Sequence, residues 1–303
     1  MEAEPPPADA ENPNLDTIMG EDTIEKKKCF CLKFFDYGGV WEARGFSNLG
    51  IARGALIMSN IVFATALIDL ATLEAGCDLE DDEDCENKVY GFTPTSLISN
   101  IAVLSGLLSA FFMPIIGAIV DYTPQRRLVG ILAAVLMIMI QTLQIGVSDK
   151  TWFIMAIFQA IAAFLYQVEI LSTYAYLPDI SRKVGQDKMT IYSSKFTMIQ
   201  FLAQLLFLLL VGVLSTGLSL KDNVVTAQVS QGVNVLWVSV FFGWGWKCMP
   251  TAPARHELEE GHSLWLEGFR QNWKTISKIN KEYKNGLRWF LLATTFAEAC
   301  ECW

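Results

Sequence analysis

The sequence predicts an all-α membrane protein with six helices crossing a bilayer and a seventh begun, entered from the cytosolic side. Three observations carry that prediction. The 303 residues are 52% hydrophobic and 18% charged, with a mean hydropathy of +0.33, whereas soluble domains hold about a quarter charged residues. Six stretches reach the roughly 20 apolar residues needed to cross a hydrocarbon core about 30 Å thick. The basic residues also alternate loop by loop, as retention on the cytosolic side requires.

Charge and composition exclude other classes. The formal charge of −9 comes from two blocks: residues 1–25 hold eight acids and no base, and residues 78–86 hold seven acids and no base. The remainder carries 23 bases against 17 acids. No basic stripe with interleaved aromatics marks a nucleic-acid binder. Seven cysteines are too sparse for a secreted disulfide scaffold.

The acidic, proline-rich tail, residues 1–28, lacks the apolar stretch of a signal peptide and is too polar to fold alone. Residues 29–50 read as a juxtamembrane amphipathic segment. The run KKKCFCLKFF at its entry suits surface anchoring, with acylation as one route. The bundle is expected over 51–247, with spans at 51–75, 94–120, 128–147, 151–177, 191–217 and 226–246. Pro178 ends the fourth span because the residue before proline is pushed out of helical dihedrals. Asp179, Arg182 and Lys183 then form the inner turn.

Residues 248–285 are a cytosolic linker. Within it Leu258, Trp265, Leu266, Phe269, Trp273 and Ile276 recur at helical spacing between bases, which predicts an amphipathic helix on the membrane surface. A seventh span begins near Gly286, and 286–303 is expected to be its truncated start. The chain is therefore expected to be part of a longer carrier whose second half, or a second copy, completes it. With the N-terminus inside, twenty Lys and Arg side chains fall on the cytosolic side, Arg44, Arg53, Arg126 and Arg127 among them, and only Lys88, Lys150 and Lys221 fall opposite.

The loop after the first span is acidic and flanked by Cys77 and Cys85. On an oxidising face these two could close a small ring; two free thiols are the alternative. Enzyme chemistry finds no foothold. There is no phosphate loop, no G-x-S-x-G or H-E-x-x-H motif, and only His256 and His262 are available as imidazole ligands. No metal or cofactor is expected.

Between the second and third spans the chain reads Gly117-Ala-Ile-Val-Asp121-Tyr-Thr-Pro124-Gln-Arg126-Arg127. Gly117 offers a place for another helix to approach closely. Asp121, on the same face, can accept hydrogen bonds from a neighbouring helix N-terminus. Arg126 and Arg127 close the turn in the anionic headgroup region. An ordinary turn held by positive charge is the plainer reading.

This loop resembles the G-x-x-x-D-x-x-G-x-R/K-R/K signature of major facilitator superfamily transporters, with Pro124 standing for the usual glycine. The stretches MPIIGAIVDYTPQRR, TYAYLPDISRKVG and GLRWFLLATTF are similar to the autophagy-related vacuolar amino-acid effluxer branch. The resemblance implies an MFS-like N-terminal six-helix bundle of a twelve-helix carrier, on a vacuolar or other endomembrane. It further implies alternating access that moves small organic solutes, amino acids foremost. A transport-inactive scaffold or regulatory half-transporter is the alternative.

Ionisable side chains inside a bilayer cost several kcal/mol and ask for a reason. The first span carries Asn60 near its centre, then Asp69 and Glu74 toward the outer end; the fourth carries Glu169 in its inner half. The resemblance implies that these two spans face the central cavity. Asp69, Glu169 and Asn60 are therefore candidates for holding a solute amine or a coupling proton. The outer mouth is the plain alternative for Asp69, and a structural hydrogen bond for Glu169. Gln141, Gln144, Gln200 and Gln204 read as glue between helices. Trp237, Trp244 and Trp246 read as an interfacial belt.

Overall fold

A computed structural model describes residues 37–77, 87–220, 222–256, 258, 263–282 and 289. The acidic tail, the cysteine-lysine run, the acidic loop with Cys85 and the start of the seventh span lie outside the described residues. Among the described residues the chain is helical without strands, and six helices are long and apolar enough to cross a membrane. The bundle is a six-span membrane fold, as the sequence predicts.

The first helix, α1, runs Trp41–Glu74, 34 residues, or about 51 Å at 1.5 Å per residue. It starts ten residues before the apolar stretch and so exceeds the hydrocarbon thickness by roughly 20 Å. Gly38 and Gly39, both at positive φ, turn the chain into it, and Gly76 at φ 73 ends it, as a left-handed residue after a helix commonly does. At the entry Tyr37 is buried and shares a 2.5 Å hydrogen bond with Ser47. Burial pushes its phenol above the ordinary tyrosine value.

Helix α2 (Leu97–Tyr122) follows a short 3-10 turn at Pro94–Ser96. Helices α3 (Arg126–Gln144) and α4 (Trp152–Tyr174) come next. The inner turn expected after the fourth span is instead a two-turn helix, α5, Leu177–Val184, with Pro178 in its first turn. Proline is tolerated there because that N–H has no intrahelical partner anyway. Gly185 at φ 82 separates α5 from α6 (Gln186–Gly217). The side chain of Asp222 accepts from the Val224 N–H at 2.8 Å and caps α7, Asn223–Cys248. Helix α8 spans Leu264–Glu282.

Helix α1 is central and packs on α7, α6 and α4; α4 also holds α3 and α2, and α8 lies on α2. Small residues set the closest crossings. A Cβ at Gly54 would stand 2.5 Å from the Gln200 carbonyl oxygen, so α1 and α6 touch backbone to backbone there. A Cβ at Gly130 would meet the Trp246 ring at 2.0 Å. Trp246 is thus buried against α3, a correction to its reading as an interfacial residue; Trp244 is exposed. Trp237 is half-buried and donates its indole N–H to the Ile51 carbonyl at 3.4 Å. Toward the outer end Phe63, Leu67, Leu70, Leu97 and Trp152 form an apolar core.

Candidate functional site

Arg53 lies twelve residues into α1, about 18 Å along its axis, and is 1% exposed. It is not one of the cytosolic loop charges with which the sequence count grouped it. Its Nη1 donates across 3.5 Å to Oε2 of Glu169, which is fully buried on α4. One turn further, the Thr173 hydroxyl donates to Glu169 Oε1 at 2.9 Å. The guanidinium stands 5.3 Å from the Phe46 ring centroid and 5.7 Å from that of Tyr174, a cation–π arrangement. The Arg53 Nε has no hydrogen-bond partner among the described residues. A buried ion pair is weak evidence of stabilisation, because desolvation offsets the Coulomb gain. A proton on Glu169 would remove the Coulomb part of this one.

Asn60 sits seven residues beyond Arg53, two turns along the same face, and its buried Oδ1 finds no partner among the described residues. A polar seam continues from there between α1, α3, α4 and α7. Ser230 donates to Ser59 at 3.4 Å, Asn234 to Gln141 at 2.9 Å and Gln144 to Gln159 at 2.9 Å. Gln231 is fully buried with neither amide atom hydrogen-bonded among the described residues. Groups in that state are the usual hosts of buried water. Gln141 and Gln144 join helices as their type suggested. Gln200 and Gln204 contribute backbone to the α1–α6 crossing at Gly54.

Asp69 is elsewhere. It lies sixteen residues past Arg53, about 24 Å along α1, half-buried, and accepts a 2.7 Å hydrogen bond from Asn223 at the start of α7. The bundle therefore does not bring Asp69 and Glu169 together. Cys77 is disulfide-bonded, while Cys85 falls outside the described residues.

The loop after α2 is organised differently from the expectation. Among the described residues nothing stands within 4 Å of a Cβ built on Gly117. The close approach to α2 is made instead by α8, where a Cβ on Gly268 would meet the Pro114 carbonyl oxygen at 1.9 Å. That contact lies eight residues, roughly 12 Å, short of the end of α2. Among the described residues no helix N-terminus donates to the Asp121 carboxylate. The Asp121 main-chain carbonyl accepts from the N–H groups of Arg255 and His256 at 2.9 and 3.2 Å. Arg126 is 1% exposed rather than facing headgroups. It donates to Asp179 at 2.9 Å and to the Ala175 carbonyl at 3.0 Å, with its guanidinium 5.1 Å from the Tyr176 ring centroid. Arg127 is half-buried, and its Nε is without a partner among the described residues. Among the described residues no three His, Cys, Asp or Glu side chains gather as a metal site would require.

The sequence model of one family, described as vacuole effluxer Atg22 like, matches residues 39–299. The chain belongs to that family. No curated protein and no solved structure matches it. Membership of the effluxer family and the six apolar helices make the chain a multi-pass membrane protein of the vacuole and a transporter by class. The resemblance drawn from the loop after the second span is thereby shown. The sequence does not mark Arg53 as a site residue, nor the pairing of Arg126 with Asp179. The Gly50-x-x-x-Gly54 spacing, a pattern of close helix approach, brackets Arg53 and was the available signal for its burial. No comparable signal tied Arg126 to Asp179.

Proposed function

We propose that the protein moves small organic solutes, amino acids foremost, across the vacuolar membrane by alternating access. Glu169 and Arg53 carry the coupling in this reading. The observation that supports it is the fully buried Arg53–Glu169 pair at the inner half of the bundle, with the Oδ1 of Asn60, unpaired among the described residues, two turns along α1. A protonated Glu169 releases Arg53, whose charge is then available to a solute carboxylate. A deprotonated Glu169 reclaims it. Asn60, two turns away, offers a carbonyl oxygen to a solute amine. A second bundle, supplied by further chain or by a second copy, closes the pathway from the other side.

The test is amino-acid flux into proteoliposomes carrying an imposed pH gradient. The wild-type chain should transport with a rate that follows the gradient, and Glu169→Gln should transport without following it. Flux in Glu169→Gln with the wild-type pH dependence would remove Glu169 from the coupling role. No flux in any protein, for any amino acid, would favour the scaffold alternative.

A further inference from the structure

At the inner end of the bundle a cleft of about 490 Å³ opens between the end of α4, α5, the start of α3 and the linker segment 250–255. Its walls carry four cations, Arg126, Arg182, Lys183 and Arg255, and two carboxylates, Glu42 and Asp179. Both carboxylates are already engaged. Asp179 holds Arg126 at 2.9 Å and also pairs with Arg182, and Glu42 pairs with Lys183. Arg255 makes no ion pair among the described residues; its side chain donates only to the Ala175 carbonyl. Among the described residues the Nε of Arg126, on a side chain almost wholly buried in the cleft wall, has no partner. The cleft thus has two positive charges in excess and one buried donor unused.

We propose that this cleft binds a phosphate monoester, either on a lipid headgroup of the cytosolic leaflet or free in the cytosol. The charge excess matches a phosphoryl dianion, where a carboxylate would leave one charge unmatched. Guanidinium forks suit phosphoryl oxygens because two parallel N–H groups can donate together. The volume exceeds that of phosphate alone and leaves room for the group that bears it. One wall is the linker, where Pro250 and Pro253 restrict the backbone, so an occupant would fasten the linker to the start of α3 and the end of α4. The proposal is independent of which solute, if any, the bundle carries.

The full chain in phosphatidylcholine nanodiscs is titrated with inorganic phosphate, with sodium chloride at matched ionic strength as control. Parallel nanodiscs contain phosphatidylinositol phosphate. The readout is the thermal midpoint from tryptophan fluorescence. A saturable rise is expected with at least one probe and none with chloride. Arg255→Gln, and independently the exposed Arg182→Gln, should each weaken the apparent affinity about tenfold, the loss of one charge-assisted contact. A response to the lipid alone assigns the site to a headgroup, and a response to phosphate assigns it to the soluble ester. No saturable rise with either probe, or an unchanged response in both variants, overturns the proposal.

Discussion

Glu169 is enclosed on every side, with a guanidinium on one oxygen and a threonine hydroxyl on the other. Asp69, also on a spanning helix, stays half-buried and takes a single amide hydrogen bond from Asn223. Both carboxylates were equally conspicuous in the sequence. Their partners separate them. An acid at the wet end of a helix needs only an amide, while one at the centre of the packing must be met by a charge, because an isolated buried carboxylate is far costlier than a hydrogen-bonded one at the edge.

The largest effect expected from this contrast is that of Arg53→Ala, which leaves Glu169 buried and unpaired. Breaking a buried pair from one side costs about 3–5 kcal/mol, read as a fall in the thermal midpoint of the detergent-solubilised protein. The double variant Arg53→Met, Glu169→Met should recover most of that loss, since apolar replacement of a buried pair is often neutral, yet it should not restore pH-dependent flux. If the double variant is as unstable as the single one, the pair is not the source of the cost. Next in size is Gly54→Ala. Its Cβ collides with backbone rather than with a yielding side chain, so α1 and α6 must part, at about 1–3 kcal/mol, again read from the thermal midpoint. Gln231→Leu should change stability by less than about 1 kcal/mol or raise it, because it removes two buried amide atoms that lack partners. Smallest is Asp69→Asn, which keeps a hydrogen bond to Asn223 within reach. Flux and its pH dependence should stay near wild type, and their collapse would erase the distinction between the two acids.

The architecture was legible because apolar length and the alternation of bases are properties of whole segments, and packing does not rewrite them. Boundaries were less so. Trp41 to Gly50 joins α1 although it carries Glu42 and Arg44, because a helix propagates past the hydrocarbon wherever tertiary contacts hold it; here Tyr37, Phe46 and Phe196 pack at its base. Glu169 was legible as a buried acid. Arg53 was legible only through the Gly50 and Gly54 spacing around it, since positive charge near an apolar boundary otherwise has the same appearance whether it faces water or another helix. Trp246 failed likewise, because only the bare Cα of Gly130, more than a hundred residues away, shows that a ring fits there. Arg126 and Asp179 are joined by tertiary folding alone.

The Ala175 carbonyl accepts from Arg126, at the head of α3, and from Arg255, in the linker. A carbonyl has two lone pairs, so both can be held together. One oxygen thereby acts as a rivet through three layers. Cutting or tugging the tether beyond α7 would be felt at the base of α4, where the helix bearing Glu169 ends.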